Sequence, residues 1–182
     1  MYFYLATALL ASPLLALPLS NKTDSMVYRF LDRYDNHVQR EKLTYIGPMT
    51  SWGSQIGNFG VHVMSREYLN EDQARERFQK AVEDFVDQAN RDPKMKNLIK
   101  PFPLTVDRVE FKLSFWGKEM ERPERPHVAQ MFMKNGHVEI SYKENASEFL
   151  DSEVVSESYE KMIEKIKIFT AIPDQKEERA SS

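Results

Sequence analysis

The chain contains no cysteine. That excludes disulfides, thiol nucleophiles, thiolate metal sites and lipid attachment through a cysteine. Glycine is also scarce, with 6 in 182 residues, and three of those six, Gly53, Gly57 and Gly60, fall within "SWGSQIGNFG". Their spacing is not that of a dinucleotide fingerprint, and no Lys-Ser/Thr pair follows them as in a phosphate-binding loop. They also precede a strand-like run, whereas phosphate loops open onto a helix. The segment is therefore expected to be a bent or bulged strand entry. No charge sign dominates: 25 basic against 28 acidic residues leave a net charge of -3, and the two signs are interleaved. Without a basic face, nucleic acid is not an expected partner. Neither an internal repeat nor a sustained heptad is present.

Long apolar runs are missing except at the amino terminus, where Tyr2 to Leu19 carries no charge and ends against Ser20-Asn21-Lys22-Thr23-Asp24. This run has the length of an export signal or a minimal membrane anchor. Ala16, with Leu14 two residues before it, offers an imperfect cleavage site, and Pro13 and Pro18 weigh against a straight spanning helix. Residues 1–20 are thus expected to be a signal peptide or anchor. They would be followed by a single domain over 24–172 and a disordered polar tail over 173–182. In that setting Asn21 and Asn145, in Asn-x-Ser/Thr triplets, are glycosylation acceptors only if the source has the machinery.

Within the domain, Val27, Phe30, Leu31, Tyr34 and Val38 recur at helical spacing. They predict an amphipathic helix over 24–43, packed on the domain or acting as a stalk and stopped by Gly47-Pro48. Alternation over Gln55–Ser65 predicts a strand with Phe59, Val61 and Val63 on one face. Asn70 and Gln73 form a capping-box signature for a helix over Glu71–Asn90, whose apolar stripe includes Ala74, Phe78, Val82 and Phe85. Pro101 and Pro103 predict an extended connector. Val109–Phe115 alternates as a strand, and Asn135-Gly136 between two further alternating runs predicts a tight antiparallel hairpin. A last helix is expected over Ser152–Thr170. The sum is an α+β domain with an antiparallel sheet of about four strands and helices on one face.

Chemistry-bearing residues are few. His62, His127, His137 and Glu139 would make a metal-dependent or hydrolytic site if they converged, yet only His137 and Glu139 share a strand face, and a metal site needs three or four ligands. No serine stands in a Gly-x-Ser-x-Gly elbow. No catalytic residue, cofactor or metal is therefore expected. Trp52, Trp116 and Tyr142, rimmed by Pro123 and Pro126, form the candidate binding surface if they gather on one side of the sheet. Ordinary packing under the first helix explains the same residues.

Ala74, Arg75, Asn90, Pro101, Phe102, Pro103 and the strand Val109–Phe115 lie in one stretch of about a quarter of the chain. This stretch resembles a group of small exported bacterial proteins with no assigned activity. The resemblance implies export and carries over no catalytic residue. The expectation is an exported or tethered non-enzymatic binding or accessory protein acting on another protein or an envelope component. The alternatives are the histidine enzyme above and a structural envelope protein held by a retained anchor.

Overall fold

Residues 22–143 and 153–171 are described by a computed structural model. The apolar amino-terminal run, the Asn145 triplet and the 173–182 tail lie outside the described residues. Helix α1 spans Lys22–Arg40 and buries the five-residue stripe read from its periodicity. It ends because Lys42 adopts a left-handed backbone with φ 58°. Gly47-Pro48 is not its stop. Those residues close a strand, β1 (Leu43–Pro48), where a helix end was expected, and Tyr45 turns inward against Tyr34. Proline at the end of an edge strand costs no ladder hydrogen bond.

Strand β2 (Phe59–Ser65) pairs antiparallel with β1, and the register shifts between Tyr45 and Gly47. The irregularity thus lies in β1 rather than among the β2 entry glycines. Helix α2 (Glu71–Arg91) carries the expected capping box: Asn70 Oδ1 accepts from Gln73 N at 3.0 Å, and Gln73 Oε1 accepts from Asn70 N at 3.1 Å. A short helix α3 (Met95–Leu98) and one 3-10 turn (Val106–Arg108) lead to β3 (Val109–Phe115). Because α2 carries the chain back along the sheet, β2 and β3 start at the same end and pair in parallel.

Strands β4 (Gln130–Lys134) and β5 (His137–Tyr142) form the expected hairpin, with Asn135 and Gly136 at φ 50° and 72°. Strand β6 (Glu153–Ser158) then occupies the first part of the segment expected to be all helix, and α4 runs over Tyr159–Ala171. Val155 and Tyr159 keep a helical spacing by coincidence. Val155 pairs with Ile140 as a strand residue, and Ser158 Oγ accepts from Lys161 N at the helix start.

The sheet therefore has six strands in the order β1-β2-β3-β4-β5-β6 and is mixed, not an antiparallel sheet of about four. Its inward rows, such as Phe59, Val61 and Val63 of β2 and Phe111, Leu113 and Phe115 of β3, are fully buried. Phe30 of α1 and Phe85 of α2 both meet Phe59, and Phe78 and Phe85 meet Phe111, so these helices share one face. Helix α4 packs on α2, and its Lys165 shares Glu157 of β6 with Arg75 of α2, which lies 2.8 Å from that carboxylate.

Candidate functional site

Alternation along each strand leaves the other face of the sheet without a helix among the described residues. Its middle row runs His62, Lys112, Phe132, Glu139 and Ser156 across β2 to β6. A second row runs Gly60, Glu110, Lys134, His137 and Ser158, with Lys134 Nζ 3.2 Å from Glu110. Gly60 is required there, because a Cβ at this position would lie 2.8 Å from Glu110 Cβ. The third row, Met64, Ser114, Gln130, Ser141 and Val154, is partly covered: Arg122 donates to Gln130 at 3.3 Å and stacks over Trp116 at 5.5 Å. Val154 at the edge stays 53 % exposed.

His62 is the most perturbed histidine on this face. Burial, and then the charges of Lys112 and Arg122, pull its pKa from 6.5 down to about 4, so it is neutral at pH 7. Its Nε2 lies 2.8 Å from Ser114 Oγ. A neutral imidazole beside a hydroxyl is the first half of a base–nucleophile pair. The second half, an acceptor orienting the other ring nitrogen, is absent among the described residues, and Ser114 is 2 % exposed.

The remaining candidates do not join His62. His127 packs edge-on against Tyr68 at 5.6 Å in the β3–β4 loop, His137 sits at the hairpin turn, and Glu139 lies three strands from His62. His37 lies outside this set, 2.7 Å from Asp84 between α1 and α2. Among the described residues no group of three or more His, Asp or Glu side chains is placed to hold a metal ion.

The three aromatic candidates also separate. Trp52 lies where β2 begins, edge-on to Phe59 and to Tyr28, and its Nε1 donates to Asp24 at 3.0 Å. Trp116 follows Phe115 at the opposite end, a strand length of roughly 23 Å away. Tyr142 points to the helix layer, 5 % exposed, donates to Glu71 and lies under the Arg125 guanidinium at 4.6 Å. Burial and the Glu71 bond raise its pKa. One aromatic surface is thus replaced by three separate packing sites. Pro123 is buried, and Pro126 borders an open hollow of about 720 Å³ with Asn70, Glu71, Asp72, Arg125 and Tyr142. No family model, no curated protein and no solved structure matches the chain.

Two features escaped the sequence. Arg75, 3 % exposed, binds Glu157, Glu71 and Asp72, and Lys165 also binds Glu157. Of these partners only Glu71 and Asp72 are local, four and three residues before Arg75 on one helix face. Burial raises the Glu157 pKa, but the hydrogen bonds from Lys165 and Arg75 outweigh it and hold the group below the usual carboxylate range. At the other end Arg108 donates to the carbonyls of Gly57, Lys100, Pro101 and Pro103, stitching the glycine-bearing loop to the proline connector.

Proposed function

We propose that this chain is an exported or membrane-tethered accessory module that binds another protein or an envelope component and has no catalysis of its own. The observation that supports the reading is the sheet face that carries no helix among the described residues. Phe132 lies at its centre, opposite charges flank it as Lys112 and Glu139, and exposed Val154 lies at one edge. A broad surface with a small apolar centre and a polar surround has the composition of a non-obligate protein interface. The uncharged run Tyr2–Leu19 supports export or tethering. Among the described residues no helix is long and apolar enough to cross a membrane.

The reading is tested by placing a photo-crosslinking residue at Phe132 or Ser156 in the full chain and irradiating intact cells. A discrete adduct from these positions, absent when the crosslinker sits at exposed Gln39 on α1, is the expected outcome. Equal yields at all three positions would remove the open face as the binding surface. Intact mass and cell fractionation test the export half, and a full-length protein confined to the cytosol would end it.

A further inference from the structure

The end of the molecule where α1 begins carries a different surface from the open sheet face. Tyr28 is 54 % exposed and stands against Trp52, and Trp52 is hydrogen-bonded to Asp24 in the first turn of α1. The Trp52 loop is joined directly to the connector after α3. Ile56 N donates to Leu98 O and Lys100 N donates to Ile56 O, both at 2.9 Å, and Arg108 bridges Gly57 to Lys100 and Pro101. That connector presents Phe102, 37 % exposed, with Lys96 over its ring at 5.6 Å. Lys94, Lys96 and Lys100 are exposed and form no ion pair among the described residues.

Exposed aromatics beside unpaired lysines make a surface suited to the headgroup layer of a bilayer, where amphipathic rings settle and lysine meets anionic lipid. An independent feature points to the same partner. The uncharged 18-residue run Tyr2–Leu19 stops three positions before the first residue of α1. If that run is in the membrane, this end of the domain is held within about 10 Å of the bilayer surface by the reach of three residues.

We infer that this end, with Tyr28, Trp52, Phe102, Lys94, Lys96 and Lys100, docks on an anionic bilayer surface and leaves the open sheet face turned aside for its partner. The inference rests on the tethered form of the proposed function. It orients the domain: the roughly 23 Å from Trp52 to Trp116 runs away from the membrane.

The two tryptophans test it, one at each end. Full-length protein is reconstituted into vesicles of phosphatidylcholine with phosphatidylglycerol, with brominated acyl chains as quenchers. Trp116→Phe leaves Trp52 as the sole emitter, and Trp52→Phe leaves Trp116. The expected result is bromine-dependent loss of Trp52 emission with Trp116 emission unchanged. In the triple variant K94Q/K96Q/K100Q that loss should fall back, with the docked-to-undocked ratio dropping on the order of a hundredfold. Protein that floats with the vesicles while neither tryptophan is quenched overturns docking and leaves the tether intact. Quenching of Trp116 alone, or equal Trp52 quenching in pure phosphatidylcholine, overturns the orientation or its anionic basis. Protein that does not float in either lipid removes the tether and the inference together.

Discussion

The two ends of the sheet use the same side-chain types in opposite ways. Around the first turns of α2, charges and rings are tied to one another: Arg75 to Glu71 and, reaching along the sheet, to Glu157 of β6, Tyr142 to Glu71 and Arg125, Trp116 to Arg122, and Tyr68 to Glu121. At the end where α1 begins, Arg108 binds backbone carbonyls, Asp24 holds Trp52 and Arg33 meets Asp92, but Lys94, Lys96 and Lys100 form no ion pair among the described residues and stand exposed beside Phe102 and Tyr28. Both ends hold paired charges, so the difference lies in the buried Arg75–Glu157 pair at one and the three lysines without an ion pair at the other. A paired, buried charge contributes to one arrangement of the chain, whereas an unpaired exposed lysine contributes almost nothing to folding and remains available to a partner.

Breaking the paired end should cost most. Glu157→Ala leaves Arg75 buried without its most buried partner and should lower stability by about 3 kcal/mol or more, read from urea midpoints. The double change Arg75→Met with Glu157→Leu should cost less than Glu157→Ala, because an apolar pair leaves no orphaned charge. The effect depends on pH. The folded pKa of Glu157 lies below its unfolded value, so its contribution is complete above the ordinary carboxylate range and fades as pH falls through the folded value. Wild type and Glu157→Gln should converge in acid.

A smaller loss is expected at the other end. Arg108→Ala removes donors to the carbonyls of Gly57, Lys100, Pro101 and Pro103 and should cost about 1–2 kcal/mol, with faster hydrogen exchange at Ile56 and Lys100. Nearer the paired end, Arg122→Gln should raise the His62 pKa above about 4 while leaving it below 6.5, because burial is the larger cause. NMR titration of the imidazole measures this. The folded pKa of His62 is depressed, so its contribution to stability is present above 6.5 and is lost as pH falls toward about 4. The smallest effect belongs to K94Q/K96Q/K100Q, which should change stability by no more than about 0.5 kcal/mol.

The elements legible in advance were those with local chemical markers. Asn70 with Gln73 announced α2, Asn135-Gly136 announced the hairpin, and strict alternation announced β3. The inward turn of Tyr142 was also present in the alternation Val138, Ile140, Tyr142, although the residue was assigned to a surface. Strand β1 was hidden because a lysine, not a glycine, takes the left-handed conformation that ends α1. Strand β6 was hidden because one of its inward residues is Glu157, whose burial depends on Arg75, 82 positions away in sequence. The parallel β2–β3 pair follows from a helix between two strands, but that spacing does not choose their neighbours in the sheet. Separation of His62, His127, His137 and Glu139 depends on that strand order, which no local pattern encodes.

The contrast between the ends is tested most directly by hydrogen–deuterium exchange on the full chain, with and without anionic vesicles. Slower exchange on vesicle addition is predicted at residues 94–103 and the first turns of α1, with no change at 117–127. Protection at 117–127, or none at 94–103 in protein that floats with the vesicles, would contradict the account.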